Sequence, residues 1–122
     1  MKTYEEVLAS HNYRSLEYYA KNLENYANIP PKLADLLIEM TSDYGAVSDM
    51  LIPIKEEETK YWLRMKESDK KLSNNTIQMM WSAEEGGSLQ FRMDMYQKSL
   101  DKMMSNLKAI LYEKRKEAEN SF

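Results

Sequence analysis

The chain has 122 residues, with 17 Lys and Arg against 20 Asp and Glu, a formal net charge of −3, one His, no Cys, three Gly and three Pro. That length suits a single helical domain over 1–122, and a 43 % hydrophobic share beside a 30 % charged share supplies a core under a charged surface. The absence of Cys removes disulfides, thiolate nucleophiles, Cys-ligated zinc and iron–sulfur clusters.

With so few breakers, those present should mark the boundaries of an all-α chain. Thr3-Tyr4-Glu5-Glu6 is a capping-box pattern that predicts a first helix over about 3–28. Leu16, Tyr19, Ala20, Leu23, Tyr26 and Ala27 recur along it at threes and fours, after a polar patch, Ser10-His11-Asn12, that breaks or kinks it. Pro30-Pro31 stops it.

The strongest periodicity follows. Leu33, Leu37, Met40, Tyr44, Val47, Leu51, Ile54, Glu58, Tyr61 and Met65 are spaced four then three, which predicts a coiled-coil-like helix over 32–66, roughly 50 Å long. Pro53 removes one backbone donor and crowds the carbonyl of Asp49, so a kink is expected near it, and Gly45 adds softness. Glu58 is the polar member of the seam and would need a Lys or Arg partner if buried.

ESDKKLSNN then reads as a connection, with Ser73, Asn74 or Asn75 capping a short helix over 74–85 that carries Ile77, Met80 and Trp81. Gly86-Gly87-Ser88 should end it. A last helix over 88–118 repeats the heptad with Leu89, Met93, Tyr96, Leu100, Met103, Leu107, Ile110 and Lys114, widened by Met104 and Leu111. Two long helices with matching seams predict an antiparallel hairpin, with the N-terminal helix covering a third side. Nine Tyr and ten Met exceed what so slender a hairpin can bury, which predicts a homo-oligomer.

The chemistry of the residues points away from catalysis. A di-metal carboxylate bundle needs Glu-x-x-His pairs, yet Leu8 stands three residues before His11, the sole histidine. Neither GxxxxGK nor GxGxxG occurs. Glu56-Glu57-Glu58 and Glu84-Glu85 come without the spacing of a calcium loop and read as solvated faces. No catalytic residue, metal site or cofactor is expected. No apolar run approaches the roughly 18 residues of a membrane span and MKTYEEVLASHNY lacks the apolar stretch of a secretory signal, so a cytoplasmic protein that avoids membranes is expected.

Charge patterning suggests a different kind of site. Residues 89–122 carry a net +2 and the rest of the chain −5. A basic cluster, Lys60, Arg64, Lys66, Lys70 and Lys71, is interleaved with Tyr61 and Trp62, the combination of cations and rings that single-stranded nucleic acid binding uses. The net charge argues against a dedicated duplex binder.

The stretch KLADLLIEMTSDYGAVSDMLIPIKEEETKYWLRMK, the polar connection after it, and FRMDMYQKSLDKMMSNLKAILYEKRKEAENSF resemble the small all-helical accessory proteins of tailed phages. Within these the chain is most similar to recombination mediators of the UvsY type, over roughly residues 32–120. The resemblance implies an oligomer that binds single-stranded DNA and a recombinase, with Lys60, Trp62, Arg64, Lys66, Lys70 and Lys71 as the contact stretch. The alternative is a small acidic phage protein that inhibits a host defence enzyme acting on nucleic acid, its Asp43, Asp49, Glu56 and Glu57 imitating phosphates. A scaffolding helical protein is the third reading.

Overall fold

The computed structural model describes Glu6 and residues 13–120, and every regular element among them is helical. In chain order, beyond Glu6, these are α1 (Leu16–Asn25), α2 (Pro30–Ser68), α3 (Asn74–Ala83) and α4 (Glu85–Asn120). The capping box at Thr3 and the expected break at Ser10-His11-Asn12 lie outside the described residues.

Local chemistry sets each boundary. Ser15, in an extended conformation, accepts the N–H of Tyr18 on its hydroxyl at 3.0 Å and starts α1. That helix ends at Asn25, three residues short of the expectation, because a turn over 26–28 leads the chain to Pro30. Pro30 opens α2 instead of blocking it, since a first-turn residue needs no backbone N–H. α2 then runs through Pro53 to Ser68 as one helix. Pro53 and Asp49 are both exposed, so the carbonyl that Pro53 leaves without a donor is on the water side. Ser73 caps α3 by accepting the N–H of Thr76 at 3.1 Å.

Gly86 and Gly87 do not stop a helix; they form the first turn of α4, directly after the break at Glu84. A Cβ at Gly87 would lie 1.9 Å from the carbonyl oxygen of Trp81. Glycine is required there for close backbone approach, which allows α3 and α4 to meet at a sharp corner.

The chain divides into two compact units. Among described residues, the first comprises Glu6 and 47–95 and the second 13–46 and 96–120. In the first unit Val47, Leu51, Ile54 and Tyr61 of α2, Ile77 and Trp81 of α3, and Leu89 and Met93 of α4 form the core. The rings of Tyr61 and Trp81 meet at 5.4 Å, and the Trp81 indole N–H donates to Gln90 Oε1 at 2.7 Å. In the second unit Tyr13, Tyr19, Leu33, Leu36, Met40, Tyr96, Leu100, Met104 and Leu107 are buried. There α2 and α4 run antiparallel: Gln97 donates to the carbonyl of Tyr44 at 3.0 Å, while Leu107, later on α4, joins Leu33, earlier on α2.

Of the expected seam positions, Leu33, Met40, Val47, Leu51, Ile54, Tyr61, Leu89, Met93, Tyr96, Leu100 and Leu107 are buried, Leu37, Glu58, Met65, Met103 and Lys114 are half-buried, and Tyr44 and Ile110 are exposed. Leu37 is half-buried and Tyr44 is exposed, whereas Leu36 and Asp43 are buried. In the second unit the buried face of α2 therefore keeps Leu33 and Met40 but takes Leu36 and Asp43 in place of Leu37 and Tyr44, with Asp43 bonded to Arg14 and Tyr19. On α4, Met103 is half-buried beside the buried Met104, and Ile110 is exposed. Glu58 is half-buried and has no cationic partner among the described residues; it lines a small hollow of about 180 Å³ with Gln78, Gln90 and Asp94.

Gly87 and Gly45 give opposite expectations. Gly87→Ala should lower stability by about 2 kcal/mol or more, through a clash that only backbone movement relieves. Gly45→Ala meets open space within a helix and should raise stability by about 0.5–1 kcal/mol. Urea denaturation followed by circular dichroism measures both.

Candidate functional site

The sequence-predicted contact residues have different surroundings. Lys60 and Arg64, one turn apart on α2, line a groove of about 420 Å³ in the first unit, together with Tyr61, Glu57, Trp81, Glu84 and Gly86. The Arg64 guanidinium stands 5.9 Å from the centre of the Tyr61 ring. Tyr61 and Trp81 are only 6 % and 4 % exposed, so they form the floor of the groove and offer no open face for a base to stack on. Glu57 and Glu84 set two carboxylates beside the two cations, and no ion pair joins any of these four among the described residues.

Lys66 points elsewhere. Its ammonium donates to the carbonyl of Leu72 at 2.6 Å, which ties the last turn of α2 to the chain leaving it. Lys70 and Lys71 follow in the turn after α2, where the Lys71 N–H donates to Asp69 Oδ1 at 2.9 Å. Trp62 is half-buried. Of the six, Lys60 and Arg64 share a groove, Lys66 is bonded to the chain leaving α2, Lys70 and Lys71 stand in the following turn, and Trp62 is half-buried.

The densest polar cluster belongs to the second unit and was not anticipated from sequence. Asp43, 4 % exposed, accepts the backbone N–H of Arg14 at 3.2 Å, its guanidinium at 3.1 Å, and the hydroxyl of Tyr19. Tyr96 donates to the carbonyl of Arg14 at 2.6 Å, and Tyr13 to that of Ala46 at 2.9 Å. Arg14 also lies 3.6 Å from Glu39. Burial, and then the bond to Asp43, hold the Tyr19 phenol well above its ordinary pKa. A carboxylate enclosed in this way is closed to an outside partner, so Asp43 leaves the acidic row of the inhibitor reading.

His11 lies outside the described residues. Among those described, no group of three or more His, Cys, Asp or Glu is arranged to hold a metal ion, and no helix is long and apolar enough to cross a membrane. Comparison with protein-family models, with characterised proteins and with solved structures finds no match for this chain.

Two results are expected from the Asp43 cluster. Asp43→Asn should destabilise the fold by roughly 1–3 kcal/mol, less than a fully enclosed ion pair would lose, because the Arg14 side chain is 37 % exposed. Tyr19 keeps its proton in the folded state while an unfolded tyrosine loses it near pH 10. Its contribution is therefore complete below about pH 10 and lost as pH rises further. Urea midpoints measured from pH 8 to 11 should fall at the alkaline end, and fall less in Tyr19→Phe.

Proposed function

We propose that the protein works by association, as a helical binding protein whose outward faces engage other protein chains. The observation that carries this reading is apolar surface on helices whose inner sides are already filled. In the first unit Phe91 is 67 % exposed and Met95 45 %, one turn apart on α4, although Leu89 and Met93 of the same helix are buried. A helix that is apolar on two sides has more such surface than its own unit covers, and the excess drives contact with another chain.

Lys60 and Arg64 favour a secondary contact with single-stranded nucleic acid, as in a recombination mediator. Two phosphate contacts give a salt dependence of only about −1.4 in log–log slope, and Glu57 and Glu84 oppose even that. Such a contact assists protein association and does not replace it.

Light scattering over a wide concentration range tests the principal reading. A mass above 14.4 kDa that grows with concentration is expected. Phe91→Lys with Met95→Lys should lower that mass while leaving helicity unchanged. A single 14.4 kDa species at every concentration, indifferent to these substitutions, would contradict it. Labelled oligothymidylate at low salt should bind weakly, and not at all after Lys60→Ala with Arg64→Ala.

A further inference from the structure

Resting on the association reading, we infer that the protein chain docking on Phe91 and Met95 anchors itself there with an arginine side chain, which enters the hollow beside Phe91. Phe91, Asp94 and Met95 stand at i, i+3 and i+4 on α4 and share one face of that helix. Phe91 also lines the hollow of about 180 Å³ in the first unit, with Glu58 of α2, Gln78 of α3, and Gln90 and Asp94 of α4 around it. A partner lying on the apolar face therefore covers an acidic hollow as well.

The polar groups of the hollow decide what such a partner must bring. Gln90 Oε1 already accepts the Trp81 indole N–H at 2.7 Å, and the Ser82 hydroxyl donates to the carbonyl of Gln78 at 2.9 Å. Glu58 and Asp94 are half-buried and have no ion-pair partner among the described residues, and none of the residues lining the hollow is Lys or Arg. A wholly apolar partner would take water from these two carboxylates and return no donor, which opposes docking. The partner must supply a cation at this point, next to the apolar residues that meet Phe91 and Met95.

Arginine fits this place better than other cations. Its guanidinium carries five N–H donors in a fixed fork, so one group can serve carboxylates on two helices, and its flat face stacks on an open ring such as Phe91, 67 % exposed. A calcium ion takes six to eight oxygens, and among the described residues no group of three His, Cys, Asp or Glu is arranged to hold a metal ion. Nucleic acid presents phosphates, which the two carboxylates repel. Two copies of this chain do not meet through this same face on both, since Glu58 and Asp94 of one would approach those of the other; a second copy docks here by a different face.

Two blocked synthetic peptides serve as probes. One carries a single arginine between leucines on an alanine–glutamine helix, and its twin has citrulline, similar in shape and uncharged, in place of the arginine. Fluorescence anisotropy with the full chain should show the arginine peptide binding about tenfold more tightly than the twin. Glu58→Gln with Asp94→Asn should bring that ratio to about one, and Phe91→Lys with Met95→Lys should weaken the binding of both peptides. Circular dichroism confirms that each variant is folded. An arginine peptide that also lowers the mass seen in light scattering supports the anchor and names a second copy as its donor. A ratio near one for the native chain, a ratio that survives Glu58→Gln with Asp94→Asn, or no binding of either peptide overturns the anchor and leaves the association reading to its own light-scattering result. No binding together with a single 14.4 kDa species at every concentration overturns both.

Discussion

A carboxylate removed from water must be given donors, and in the second unit that requirement organises everything around it. Asp43 receives three, two from Arg14 and one from Tyr19. Both residues come from the stretch at and before α1, far away in sequence. Arg14 is also held from the other side, since its carbonyl accepts the hydroxyl of Tyr96 on α4. One residue of irregular backbone is thereby bonded to both long helices, and a segment with no helical bonds of its own acquires a defined path. An unpartnered charge at this depth would oppose folding by several kcal/mol. The cluster therefore specifies the arrangement more than it adds net stability.

In the first unit the corresponding constraint is one of volume. The first turn of α4 comes so near the end of α3 that only glycine fits at position 87. That closeness brings Trp81 under Tyr61, sets its indole N–H on Gln90, and carries Glu84 to the rim of the groove where Lys60 and Arg64 stand. The mixed charge of the groove thus follows from a backbone contact.

The parts of this fold that were legible in sequence are those governed by local repetition. The α2 and α4 patterns are heptads, and a heptad announces a buried helix face without reference to its partner. Ser73 as a cap is equally local. The burial of Asp43 in place of Tyr44 was hidden because its donors are Arg14 and Tyr19, which no short window joins to α2. Gly86-Gly87 was misread because a glycine needed for turning and a glycine needed for closeness look identical in a sequence. The basic cluster was half legible: Lys60 and Arg64 are four apart and share a face, whereas Lys66 lies well round the helix from both. Glu84 could not have been placed beside them without the corner at Gly87.

That corner also bears on how the chain changes by descent. Every single-base change in a glycine codon that leaves the chain uninterrupted and the residue altered adds a side chain, and at position 87 the first carbon of any side chain already collides with the main chain of Trp81. Gly45, facing empty space, carries no such restriction. Of two glycines on helices, one is free to drift and the other is held by geometry, so lineages of this protein should diverge at position 45 long before they do at 87.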